Sequence, residues 1–244
     1  MTPSVLWPRF LAQGDAALVV EFGDRIDRAV SERVNALAEA VRAAAIPGIS
    51  EVVPTFRSLL VHFDPLVLDS ESVTGHVQGL LEHGGAQRRK ARLIRMPVCY
   101  DEDLGPDLAE VAVLAGMTRA DAARLHASVE YHVYMLGFLP GFPYMGDLPE
   151  PLRQPRLKTP RTQVPPRSVA VATALTAIYP LESPGGWRLI GATPVDLFDV
   201  RQPSPALLFP GDRVRFQPID REAFDSMRAD WVAGRGRIEM EDAS

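Results

Sequence analysis

Alternating and helical hydrophobic periods trade places along the first third of this chain, and both then give way to short apolar runs between turns. Residues 16–22, apolar except for Glu21, read as a buried strand. From Asp27 to Ala45 the apolar positions Val30, Val34, Leu37, Ala38, Val41 and Ala45 share one helical stripe, which Pro47-Gly48 ends. Two β-rich runs, 49–55 and 59–63, flank a short segment with Arg57 and predict a hairpin. Asp69 or Ser70 caps a second helix whose inner face carries Val73, Val77, Leu80 and Leu81, with Gly84-Gly85 as its stop. Leu93 to Tyr100 completes a βαββαβ order, that of a split βαβ unit with two helices on one face of an antiparallel sheet.

A domain boundary falls near residue 92, with that last strand able to serve either side, and the pattern changes from Pro106. Pro106 suits a first helical turn, Gly116 a C-terminal cap, and Thr118 with Asp121 a new N-terminal cap, so two short helices follow. Beyond them, strand candidates recur at 131–136, 169–172, 177–179, 187–190, 195–198 and 213–216, the spacing of a small β-barrel or sandwich. Asp220 caps a last helix carrying Phe224, Met227 and Trp231.

Composition narrows the function classes. With 244 residues, 46% of them hydrophobic, the chain has material for two cores. A net charge of −5 and scattered basic residues argue against nucleic acid as a partner, the run Arg88-Arg89-Lys90-Ala-Arg92 excepted. No run approaches the roughly 20 apolar residues of a membrane span, and the N-terminus lacks an apolar core of leader length, so the expectation is a soluble cytoplasmic protein. Cys99 is alone in an apolar run, which excludes internal disulfides and cysteine-cluster metal sites and reads as a buried thiol. The five histidines show no ligand spacing, and no phosphate-binding P-loop, dinucleotide fingerprint, zinc-protease helix or nucleophile elbow is present.

Three loop segments carry candidate chemistry. Phe138 to Gly146 alternates aromatic residues with Pro140, Gly141, Pro143 and Gly146, either as a shaped recognition surface or as a rigid cap on the core. Lys158 and Arg161 stand among turn residues, where a guanidinium can clamp a carboxylate or phosphate, or simply be solvated. From Glu182 to Trp187 a carboxylate, a hydroxyl (Ser183), two glycine amides (Gly185, Gly186) and an indole fall together, fit for an anion pocket with an apolar wall or for a hairpin turn over a buried Trp187.

Together the motifs Gly-Phe-Leu-Pro-Gly-Phe-Pro-Tyr at 137–144, Pro-Arg-Thr at 160–162, Ile-Tyr-Pro at 178–180 and Ser-Pro-Gly-Gly-Trp at 183–187 resemble the family of the 5-oxoprolinase B-type subunit, also called kinase A inhibitor-like or allophanate hydrolase subunit 1. Gly14-Asp-Ala-Ala17, Arg57 to His62, Pro97 to Tyr100 and Pro210 to Phe216 extend the resemblance over nearly the whole chain. It implies an α+β fold, a ferredoxin-like domain at 1–92 followed by a cyclophilin-like β-barrel domain at 93–244. It further implies ATP-dependent conversion of 5-oxoproline to glutamate, with a C-type partner like allophanate hydrolase subunit 2 and a third, A-type protein. ATP, with Mg, belongs to the assembled complex and not to this chain alone. The family also implies two alternatives, a regulator that inhibits a sensor histidine kinase and a carboxyltransferase component acting on a urea-like substrate. A lactam is a poor electrophile, and phosphoryl transfer to its carbonyl oxygen makes a better one, so the site must hold a small anion and stabilise charge. Arg161 is the candidate anion contact, Gly185 and Gly186 supply amides, Tyr179 and Trp187 form walls, and Glu182 and Ser183 handle protons or hydrogen bonds. In two places the chain departs from the family pattern. Thr173-Ala-Leu-Thr-Ala177 replaces a glycine- and glutamine-bearing run, and Pro166-Arg167 replaces Ala-Gly.

Overall fold

In this computed structural model, residues 7–83 and 89–242 are described, so the predicted helix stop at Gly84-Gly85 lies outside the described residues. The chain divides into two compact units, Met1–Lys90 and Ala91–Ser244. The fold is mixed α/β.

The first unit is built from β1 (Arg9–Ala12), β2 (Ala17–Glu21), α1 (Arg28–Ala44), β3 (Ile49–Pro54), β4 (Ser58–Phe63) and α2 (Ser70–Glu82). Helix α1 starts where the Asp27 carboxylate accepts the amides of Ala29 and Val30, and it stops at Ala45, which turns into the left-handed region at φ 44°. Asp69 caps α2 by accepting the amide of Ser72. The sheet is antiparallel in the order β1-β2-β4-β3. Val34, Leu37, Ala38 and Val41 of α1 and Val73 and Val77 of α2 bury against Leu18, Val20, Leu59 and Val61 of the sheet. Each buried valine or leucine among them stabilises the fold by about 1.5–3 kcal/mol relative to exposure. The strand order shows which side the strand after the second helix serves. The place beside β2 belongs to Arg9–Ala12, and the strand following α2 joins the other unit.

That strand, β5 (Arg92–Val98), opens the second unit, followed by α3 (Leu108–Leu114), α4 (Arg119–Ala127), β6 (Glu130–Leu136), β7 (Pro143–Gly146) and a short 3-10 turn at Glu150–Leu152. Next come β8 (Arg161–Val164), β9 (Ser168–Ala172), β10 (Leu175–Ile178), β11 (Ser183–Gly185), β12 (Arg188–Ala192), β13 (Arg213–Pro218), α5 (Arg221–Val232) and β14 (Glu239–Asp242). Pro106 precedes α3, whose N-cap is Asp107, so the helix begins two residues later than Pro106 suggests. Eight strands form one sheet in the order β12-β9-β10-β7-β6-β13-β5-β14, and β8 and β11 form a separate two-stranded ribbon. Only β13 and β5 are parallel among these pairs. The ladder does not close. It curls round until Cys99, just past β5, exchanges both backbone hydrogen bonds with Ala192 at the end of β12, at 2.9 and 3.0 Å. Residues 195–198, expected as a strand, contribute a single bridge from Phe198 to Ala206.

The core inside this curl includes Ile94, Met96, Tyr131, Val133, Val171, Val214 and Phe216. Cys99 is fully buried, and burial pushes its thiol above the ordinary range. His126 is buried as well, stacked on Phe216 with ring centroids 4.4 Å apart. Among the described residues no helix is long and apolar enough to cross a membrane.

Candidate functional site

The Phe138–Gly146 and Tyr179–Trp187 segments, more than thirty positions apart in sequence, meet in one aromatic cluster. Phe142 is its hub: edge-on to Tyr179 at 5.1 Å, to Trp187 at 5.9 Å, to Tyr144 at 5.0 Å and to Phe138 at 5.3 Å between centroids. Such edge-to-face geometry places positive ring edges on negative faces and fixes the rings relative to one another. Phe142, Tyr179 and Trp187 are buried with Val164, Ala170, Ala172, Ala177 and Leu189, a cluster distinct from the main core. Phe138, by contrast, is 59% exposed and sits at φ 69°, unusual backbone for a bulky side chain.

The β8–β11 ribbon brings the charged and polar candidates to this cluster. Gly185 lies opposite Arg161 and Ser183 opposite Val164, with a register shift between the two pairs. Nη2 of Arg161 donates to Oδ1 of Asp107 at 2.7 Å, while Oδ2 of Asp107 accepts the amide of Leu189 at 2.7 Å. Asp107 stands at the N-cap of α3 without capping it, because its carboxylate is engaged by these partners. Nη1 of Arg161 and Oγ of Ser183 are buried without a hydrogen-bond partner among the described residues. Buried donors in that condition cost free energy until something supplies an acceptor. Gly185 makes room for the phenol of Tyr179, since a Cβ there would lie 2.3 Å from the hydroxyl oxygen. Gly186 has ordinary clearance and uses its carbonyl to accept the amide of Leu157 at 2.7 Å. Glu182 is exposed.

Burial raises the pKa of Tyr179 above that of a free phenol, against the opposing pull of the Trp187 backbone amide and the nearby guanidinium of Arg156. Tyr144 is raised for the same reason and is also opposed by Arg156. Both phenols therefore keep their protons at neutral pH and offer O–H donors.

Tyr179, Ser183, Gly185, Trp187 and Arg161 are thus brought together, with Gly186 in the connecting turn and Glu182 at the rim. Asp107 and Arg156 have no counterpart among the sequence candidates. Asp107 resembles an ordinary helix cap in the sequence, and its partner Arg161 lies 54 positions away. The signal for Arg156 was present in the Pro155-to-Pro160 frame, where it recurs with Lys158 between prolines. Among the described residues, no three His, Cys, Asp or Glu side chains gather as possible ligands of one metal ion.

Two of the departures from the family pattern fall on strained backbone. Arg167 and Thr173 hold φ values of 69° and 52°, the left-handed region that suits glycine. For the β-branched Thr173 this strain exceeds the entropy a glycine adds to the unfolded chain, so Thr173→Gly should raise the unfolding free energy by roughly 0.5–1 kcal/mol. Urea titration measures it; a decrease would mean that the Thr173 hydroxyl bond to the Ala172 carbonyl outweighs the strain.

The family model for the carboxyltransferase domain, subdomain C and D, matches residues 8–208. The chain is 37% identical over 226 residues to the B-type subunit of 5-oxoprolinase from Bacillus subtilis (strain 168), covering 88% of this chain and 94% of that protein. With the B-type subunit of 5-oxoprolinase from Escherichia coli O157:H7 it shares 41% identity over 208 residues, 84% of this chain and 93% of that one. The crystal structure of TTHA0988 superposes with a TM-score of 0.77 at 38% identity over 84% of this chain, which spans 40% of the solved one.

Proposed function

We propose that this chain, which belongs to the carboxyltransferase subdomain C and D family and within it to the B-type 5-oxoprolinase proteins, is the B-type component of a heteromeric, ATP-dependent enzyme that opens 5-oxoproline to glutamate. The observation that carries this reading is the nearly end-to-end likeness to two proteins named for that component. The companions in this reading are a C-type protein, like allophanate hydrolase subunit 2, and an A-type protein in the cytoplasm, and ATP with Mg is consumed by the assembly. The part this reading gives to the present chain is to hold the lactam, since its buried donors at Arg161 and Ser183 lack acceptors among the described residues. In the same reading the first unit is ferredoxin-like, supported by its antiparallel order and two helices. The second is cyclophilin-like, supported by the return of its sheet at Cys99 and Ala192.

Trp187 and Tyr179 provide walls for a small flat ring. The buried Nη1 of Arg161 and the hydroxyl of Ser183, both lacking acceptors, are donors for an oxygen that gains negative charge as the carbonyl is activated. Asp107 holds Arg161 in place, while Gly185 and Gly186 keep backbone amides free of side chains. Glu182 at the rim is the group for proton transfer with solvent.

Glutamate release and ATP consumption by the three co-purified proteins, with each omitted in turn, test the reading. Turnover is expected from the full set and is lost when this chain is left out; turnover that persists without it overturns the assignment. The carboxyltransferase name of the family model supports a second reading, carboxyl transfer to a urea-like substrate, which a stable but 5-oxoproline-inactive complex would favour.

A further inference from the structure

Arg156 is a cation at this site with no role assigned above. Arg161 and Arg188 are engaged by Asp107 and Glu110, and Arg153 donates to the Leu148 carbonyl. Arg156 has no ion pair and no hydrogen bond among the described residues, and its guanidinium carbon stands 5.8 Å from the centre of the Trp187 ring. Its backbone is tied on both sides. The Pro155 carbonyl accepts from Arg188, the Leu157 amide donates to Gly186, and the Gln154 carbonyl accepts from Thr173. The backbone around this exposed arginine is thus anchored beside the indole, and only its side chain remains to be ordered by a ligand. Its planar fork offers paired N–H donors that match a carboxylate, and the phenols of Tyr144 and Tyr179 are near enough for its charge to act on them.

We propose that Arg156, over the face of Trp187, forms a carboxylate-binding subsite that selects the substrate by its acid group, an inference that rests on the 5-oxoprolinase reading. The indole packs the flat five-membered ring and the guanidinium takes the carboxylate, which leaves the lactam carbonyl for the donors around Arg161. Arg156 thereby acts as a specificity-determining residue, equally engaged before and during the chemical step.

The assembled enzyme carrying Arg156→Met is compared with wild type on 5-oxoproline and on 2-pyrrolidinone, the same lactam without the acid. The KM for 5-oxoproline is expected to rise roughly 10- to 100-fold, as loss of a charge-assisted bidentate contact implies, with kcat within about twofold. Preference for 5-oxoproline over 2-pyrrolidinone collapses by the same factor, and Arg156→Lys recovers part of it. Unchanged KM and preference in Arg156→Met overturn the subsite. The full-length chain alone is titrated in parallel with each compound, following the Arg156 Nε–H and Trp187 indole N–H signals by NMR. Should wild type fail to turn over 5-oxoproline while the acid, and not 2-pyrrolidinone, shifts those signals, the substrate reading falls and the carboxylate subsite stands. Absence of both turnover and shifts overturns both.

Discussion

Alanine at position 185 should lower the stability of the second unit by about 2–3 kcal/mol and remove most turnover of the assembled enzyme. The added Cβ falls 2.3 Å from the Tyr179 hydroxyl oxygen, 2.8 Å from Cζ and 2.9 Å from Cε1. Tyr179 has no slack to retreat, being 1% exposed and edge-on to Phe142 at 5.1 Å. Relief must come from the ribbon, and Gly185 is paired there with Arg161, so the strain passes directly to the Asp107–Arg161 pair. Urea unfolding of Gly185→Ala, Tyr179→Phe and the double variant separates this from a general packing defect. Removing the oxygen nearest the new Cβ should restore about 1 kcal/mol beyond additivity. A wild-type unfolding midpoint for Gly185→Ala would show that the close approach is absent in solution.

The same ribbon shows where reading the sequence stops. Helices α1, α2 and α5 are legible because each combines an apolar face with a capping residue, Asp27, Asp69 and Asp220, and α4 from its cap Thr118; in each case that side chain accepts a first-turn amide. The inner strands β2, β4 and β9 are legible from their apolar runs, and β13 from its alternation of arginine with Val214 and Phe216. Strands β1, β7, β8, β11 and β14 are not, since none exceeds four residues and β1 and β14 are exposed along most of their length, leaving no alternation to detect. Missing β1 is what makes the strand after α2 look like the fourth member of the first sheet. Local pattern fixes where a strand lies, whereas its partner depends on contacts far along the chain.

Site residues divide along the same line. Tyr179, Ser183, Gly185 and Trp187 occur within nine consecutive positions, so their composition announces a shaped loop before any fold is known. Asp107 gives no such notice, because its role arises only when α3 comes against β12 and Arg161 arrives from β8. Arg161 is legible as a cation but not as an engaged one, and that difference moves the free positive charge from Arg161 to Arg156. The substitutions at Arg167 and Thr173 were visible as departures from a glycine-bearing pattern, and the structure supplies the physical meaning, a left-handed backbone retained after the glycines were replaced.

His126, read from sequence only as a poor metal ligand, should govern how the protein meets acid. Its Nε2 lies 3.0 Å from the Thr176 hydroxyl, whose proton goes to the Ala170 carbonyl at 3.0 Å, so Nε2 carries the ring hydrogen. Nδ1 then accepts from the Tyr100 hydroxyl at 2.7 Å. A second proton on the ring would find that hydroxyl unable to become an anion, since burial holds Tyr100 well above the ordinary phenol range. Burial accordingly lowers the imidazole pKa from 6.5 to about 3. The folded state stays unprotonated while the unfolded chain binds a proton, so the stability this group contributes is complete above pH 6.5 and is lost as the pH falls from 6.5 towards 3. The slope is about 1.4 kcal/mol per pH unit, or about 3 kcal/mol lost by roughly pH 4.5. His126→Gln, which keeps a polar side chain but cannot titrate, should be less stable than wild type at pH 8 and should lose about 3 kcal/mol less on going to pH 4.5. Parallel stability profiles for the two proteins across that interval would mean that protonation of His126 is not what distinguishes the folded from the unfolded chain.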